Sequence, residues 1–124
     1  MSASPPTVER DEVAVEALQR LIECIDASIG ELERARTRAE KLLADRRGGR
    51  PWLELVTDEA RPLVVESIST VLGTLAAAGH TWRREEAAAL HREQVSINRI
   101  AGLFGVTRQR ISALLREPTG DPSA

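Results

Sequence analysis

The sequence predicts an all-α chain: a long N-terminal coiled-coil-like helix, a middle helix and a C-terminal unit of three short helices. Three observations lead there. Apolar residues recur at helical spacing through most of the 124 residues. Glycine and proline gather at a few breaks, and no stretch reads as a strand. With one Phe, two Trp and no Tyr, the core has to be aliphatic.

Residues 1–8, with the stretch SASPPT, read as a disordered leader. From Glu9 to Arg46 there is no proline, and the apolar residues form a helical stripe. Leu18, Ile25, Leu32 and Ala39 repeat every seven residues, as do Ala14, Leu21, Ser28, Ala35 and Leu42. Together they read as the seam of a coiled coil, which Val15, Ile22, Ile29 and Leu43 widen. A helix of this length reaches about 55 Å and needs a partner along it. The expected partner is a second copy, with Leu18, Leu21, Ile22, Ile25, Ile29, Leu32 and Leu42 as dimerisation residues. The alternative is a break at DASIG, Asp26–Gly30, which folds the halves into an intramolecular bundle.

The stretch RRGGRPW, Arg46–Trp52, stops this helix, because glycine tolerates left-handed backbone and Pro51 biases Arg50 away from helix. Residues 47–57 therefore read as a linker. The same stretch is similar to the Arg-Gly-Arg-Pro core of AT-hook peptides, with the first core arginine replaced by glycine. A supporting helix follows over residues 58–79, capped by Thr57 or Asp58 and ended by Gly79. Its Val64, Ile68, Val71, Leu72 and Leu75 share a face, and Gly73 reads as a close helix crossing. Thr81, Ser96 and Thr107 are hydroxyl caps for three short helices within residues 80–117. Pro118 forbids continuation, leaving 118–124 as a disordered tail.

Several function classes fall away. Cys24 has no intramolecular disulfide partner, and neither it nor His80 and His91 has a ligand partner at metal-site spacing, so no metal or cofactor is expected. No nucleophile and base stand together with a supporting turn, and Glu85 and Glu86 read as a solvated face. The chain is therefore not expected to be an enzyme. No apolar run is long enough for a membrane span and no signal peptide is visible, so the expected location is the cytoplasm. Net charge is −2. It is unevenly distributed: residues 1–81 hold 10 basic and 14 acidic residues, whereas 82–117 hold 7 basic and 4 acidic.

That basic segment contains IAGLFGVTRQRIS, Ile100–Ser112. Ala101 and Gly105 supply a small side chain at a helix crossing and a residue at ease with positive φ at the turn. Ile100, Phe104, Val106, Ile111 and Leu114 are candidate core residues of the bend, with Leu115 rooting the last helix. Over Ile97–Arg116 this pattern resembles the helix-turn-helix of bacterial transcription factors. Extended back to Thr81, the segment is similar to region 4 of sigma factors and to response-regulator output domains, and its composition to small actinobacterial helix-turn-helix regulators. Those families often place glycine where this chain has Gln94.

The resemblance implies double-stranded DNA as partner, with the second helix in the major groove. Arg108, Gln109 and Ser112 are then expected at base edges, since Arg pairs with guanine and Gln with adenine. Ser96, Arg99, Thr107, Arg110 and Arg116 are expected at phosphates. The function implied is that of a homodimeric, sequence-specific transcriptional regulator in the nucleoid. Two alternatives remain: a nucleoid-associated protein of low sequence preference, and a protein-interaction adaptor docking on RNA polymerase or a signalling partner.

Overall fold

The computed structural model describes residues 6–118, and every regular element in them is helical. These are α1 Pro6–Arg47, α2 Trp52–Asp58, α3 Val64–Arg92, α4 Ile97–Phe104 and α5 Arg108–Arg116. Residues 1–5 of the expected leader and 119–124 of the expected tail lie outside the described residues. Pro6, Thr7 and Val8, also expected in the leader, instead open α1. Proline suits a first helical turn, where its missing N–H would have had no partner. The chain forms two compact units, one of Glu23–Ala76 and the other of the residues on either side.

In the unit Glu23–Ala76, α1 runs unbroken through Gly30, so the expected alternative of a break at Asp26–Gly30 does not occur. It ends at Arg47, within the stretch Arg46–Trp52. Gly49 has φ 101°, its N–H donates to the Arg46 carbonyl (3.0 Å), and the Arg50 N–H donates to that of Asp45 (3.1 Å). Both carbonyls are orphans of the helix end. The Arg50 guanidinium then reaches Asp45, Glu54 and Asp58 at 3.4, 2.8 and 2.8 Å. Its pKa is raised, chiefly by the hydrogen bond to Glu54, with Asp58 and Asp45 adding to it. The arginine of the AT-hook-like dipeptide is thus held inside its own unit.

The expected linker 47–57 contains α2. Pro51 precedes its first turn and accepts from the Leu55 N–H (3.1 Å), and Leu55 is 2% exposed. Thr57 and Asp58 belong to the end of this helix and do not cap the next: the Thr57 hydroxyl donates to the Leu53 carbonyl (2.7 Å). Carboxylates serve the start of α3 instead. Glu66 accepts from the Leu63 N–H and Glu59 from that of Val64, both at 2.8 Å, and negative charge suits a helix N-terminus.

The expected boundary between a helix over 58–79 and a unit over 80–117 does not fall at a helix end, because α3 continues to Arg92. Gly79 and Thr81 lie inside it, and the Thr81 hydroxyl donates back to the Ala77 carbonyl (3.1 Å). Threonine does this in helix interiors, where no free N–H remains to be capped. Gly73 is exposed and a Cβ there would meet nothing within 4 Å, so it marks no close crossing.

Leu42 near the end of α1, Leu55 of α2 and Val64 at the start of α3 line one cavity of about 390 Å³. Arg38 spans the same region, donating to the Ala60 carbonyl (2.7 Å) with Glu59 at 3.8 Å. Farther from that end, Ser28 and Ala35 of α1 and Val71 of α3 are 5–7% exposed. Only an α3 that runs back along α1 can cover them, so the two helices are antiparallel in this unit.

The seam predicted on α1 divides. Ala14, Ser28 and Ala35 are buried, and Leu21 and Leu42 half-buried, within the chain itself. Leu18, Ile22, Ile25, Ile29 and Leu32 remain 38–51% exposed. Of the seven expected dimerisation residues, Leu21 and Leu42 are thus engaged intramolecularly.

Candidate nucleic-acid interface

The second unit ends in α4 and α5, and its core explains their placement. Ala87 of α3, Ile100 and Ala101 of α4, and Ile111 and Leu114 of α5 form one buried cluster. Leu90, Val95, Ile97, Phe104 and Leu115 pack around it. Ile100 and Ile111 are fully buried. One predicted member is misplaced: Val106, expected beneath the turn, is 40% exposed. Glu85, expected on a solvated face, is only 2% exposed, with Arg84 beside it at 3.3 Å.

Three local devices set the helix pair. The Ser96 side chain caps α4 by accepting from the Arg99 N–H, and the Thr107 side chain caps α5 by accepting from the Arg110 N–H, each at 3.1 Å. At the end of α4, Gly105 has φ 68°. Its N–H donates to the Gly102 carbonyl (3.3 Å), and the Val106 N–H to that of Ala101 (3.0 Å). The end of α3 repeats this hydrogen-bond pair, from the Gln94 N–H to His91 and from the Val95 N–H to Leu90. Gln94 takes the left-handed conformation there, with φ 71°. Gln94 therefore holds a backbone conformation that glycine adopts most readily.

With Ile111, Leu114 and Leu115 facing the core, the 100° step of the helix turns Gln109, Ala113 and Arg116 outward. Arg108 and Ser112 lie at one edge of that surface, and Arg110 at the other. Arg108, Gln109, Arg110 and Arg116 are exposed, as are Ser96, Arg99 and Thr107; Ser112 is half-buried. The structure thus groups Arg108, Gln109 and Ser112 along α5, while Ser96 and Arg99 sit in the first turn of α4.

Two participants were not found in the sequence. Asn98 accepts from the Arg108 guanidinium (3.3 Å) and ties the first turn of α5 to α4. Arg83 of α3 lies over the Phe104 ring, 4.2 Å from its centroid, and lines a small cavity with His80 and Arg110. Asparagine in a first turn gives no sequence signal of such a tie. Arg83 could be found only by knowing that α3 continues without a break. Glu117, after α5, meets His80 at 2.8 Å and Arg84 at 3.8 Å, which holds the end of α5 to α3.

The charge state of the surface is distinctive. Residues 96–116 contain four arginines and no carboxylate. Arg99, Arg108, Arg110 and Arg116 form no ion pair among the described residues, as is also true of Arg36, Arg46 and Arg47 on α1, whereas Arg34, Arg38, Lys41, Arg50, Arg61 and Arg84 each have a carboxylate within 4 Å. No group of three His, Cys, Asp or Glu among the described residues is arranged to hold a metal. No helix there is long and apolar enough to cross a membrane. No protein-family model, curated protein or solved structure matches the chain.

Proposed function

We propose that the chain is a homodimeric transcriptional regulator that binds double-stranded DNA sequence-specifically, with α4 and α5 acting as a helix-turn-helix. The observation that carries this reading is the set of four arginines on α4 and α5 that have no carboxylate partner among the described residues. An arginine already neutralised inside the protein gains little from a phosphate; an unpaired one on the surface displaces the counterions of DNA. In this reading Arg108, Gln109 and Ser112 meet base edges in the major groove. Arg99, Arg110 and Arg116 hold the backbone.

The capping hydroxyls fit the same task. Ser96 and Thr107 accept from backbone N–H groups, which leaves each hydroxyl proton free to donate to a phosphate oxygen at a helix N-terminus. A single α5 offers few base contacts, and a dimer doubles them on a two-fold related site.

Leu103 and Val106, 59% and 40% exposed, favour a second reading, in which the helix pair docks on a protein as an adaptor. Selection from a random duplex library by the full chain separates the readings. The expected result is one enriched sequence, bound about 10³-fold or more tightly than unrelated duplex, and lost in the Arg108→Ala, Gln109→Ala variant. Equal retention of every duplex would replace the regulator by a nucleoid-associated protein. No retention would leave the adaptor.

A further inference from the structure

In the unit Glu23–Ala76, the positions of α1 covered by the chain itself include Cys24, Ser28, Ala35, Leu42 and Asp45. One residue later runs a second series at the same three-and-four spacing, Ile25, Ile29, Leu32, Ala39 and Leu43, interrupted by the exposed Arg36 between Leu32 and Ala39. Its four large members are 40–50% exposed. The α3 helix repeats the arrangement. Val64, Ser67 and Val71 are covered or half-covered, while Val65, Ile68 and Leu72, one residue on, are 72, 36 and 59% exposed.

One residue turns an α-helix by about 100°. That is close to the angle between the two neighbours of a helix at the corner of a four-helix bundle. Because α1 and α3 are antiparallel, the same one-residue step turns both exposed series toward one side of the pair. The result is a single apolar face built by two helices.

We propose that this face is covered by a second copy of the chain, so that the dimer is a four-helix bundle to which α3 contributes as well as α1. The exposed aliphatic surface is on the order of 600 Å² per chain, near the ~800 Å² per partner of a standard stable interface. Charge selects the arrangement. The outer edge of the α1 series carries Glu23, Asp26, Glu33 and Glu40, while the corresponding α3 edge carries Glu66, Ser69, Gly73 and Ala76. Stacking α1 antiparallel on its own copy sets acidic edges together; stacking it on the α3 of the copy avoids this. The two-fold axis therefore runs along the bundle.

This deepens the dimer of the proposed function, but its test contains no DNA, so the two can fail separately. Sedimentation equilibrium of the full chain should give twice the 13.6 kDa chain mass. Ile29→Glu and Leu72→Glu should each raise the dimer dissociation constant about 100-fold or more with helical circular dichroism retained. Leu103→Glu, exposed but outside the face, should leave the dimer intact. A monomeric native chain overturns the proposal. So does a dimer that survives Leu72→Glu but not Ile29→Glu, which would be a two-stranded α1 pair. If a glutamate variant loses its helix, the native chain still decides: its melting midpoint should rise with protein concentration, and a constant midpoint overturns the dimer.

Discussion

Replacing Arg99 with alanine should change the salt dependence of DNA binding by a predictable amount. Under the proposed function Arg99, Arg110 and Arg116 each neutralise a phosphate, so a homodimer engages about six, and log K should fall against log salt with a slope of about −5.4. Between 50 and 200 mM salt that is a loss of about 10³ in affinity. Arg99 is exposed, and among the described residues it forms no ion pair, so its full charge is free to displace counterions. Losing it from both protomers should bring the slope to about −3.6. Arg61 is the control: it is just as exposed but already lies 3.4 Å from Glu66, and Arg61→Ala should leave the slope near its native value. Arg108→Ala should keep the slope closer to native while costing about 1–3 kcal/mol of discrimination per half-site. Fluorescence anisotropy of a labelled duplex across a salt series measures all of these. A slope unchanged in Arg99→Ala would refute the phosphate role of that residue, and a slope near zero in the native chain would refute an electrostatic interface.

Three stability predictions follow from the turns and the core. Gly105→Ala should destabilise by about 1–2 kcal/mol in urea unfolding, a purely conformational cost, because φ is 68° and a Cβ would meet nothing within 4 Å. Gln94→Gly should stabilise by about 0.5–1 kcal/mol, read as a higher urea midpoint, since it relieves a left-handed residue at the end of α3. Ile111→Ala, at a fully buried position, should cost about 2–5 kcal/mol. The same truncation at exposed Leu103 should stay within about 0.5 kcal/mol.

What the sequence made legible was local chemistry. Ser96 and Thr107 were recognisable as caps because a cap needs only its own hydroxyl and an amide three residues on. Thr81 looks the same in sequence yet lies mid-helix, because capping also requires that the preceding helix end. Gly79 lowers helix propensity by only about 1 kcal/mol, too little to end a 29-residue helix. The seven-residue α2 is too short to show a period of its own and was hidden in a segment read as linker.

The stripe on α1 was legible as an apolar arc but not in its division. Sequence periodicity gives the width of the arc, and only the position of α3 decides which half is covered. The positions that read as one seam, such as Leu18 and Leu21, straddle two seams a residue apart. Val106 failed for a related reason. It was expected beneath the turn, but it follows the left-handed Gly105, and which way such a turn directs the next side chain is not visible in the sequence.

Net charge was a poor guide to the candidate site. A chain at −2 argues against nucleic acid only if each basic residue counts alike, and here they do not. Arg50 faces three carboxylates, and Arg84 two; to an approaching anion these arginines present little positive charge. The arginines of α4 and α5 occupy a stretch with no carboxylate, and helix N-termini at Ser96 and Thr107 add partial positive charge beside them. Screening over about 10 Å at 0.1 M salt gives this local excess more weight than the net charge of the whole chain in the field that a close phosphate would meet. The salt slope therefore counts the unpaired arginines assigned to phosphates, Arg99, Arg110 and Arg116, and two proteins with the same net charge but different pairing should differ in it.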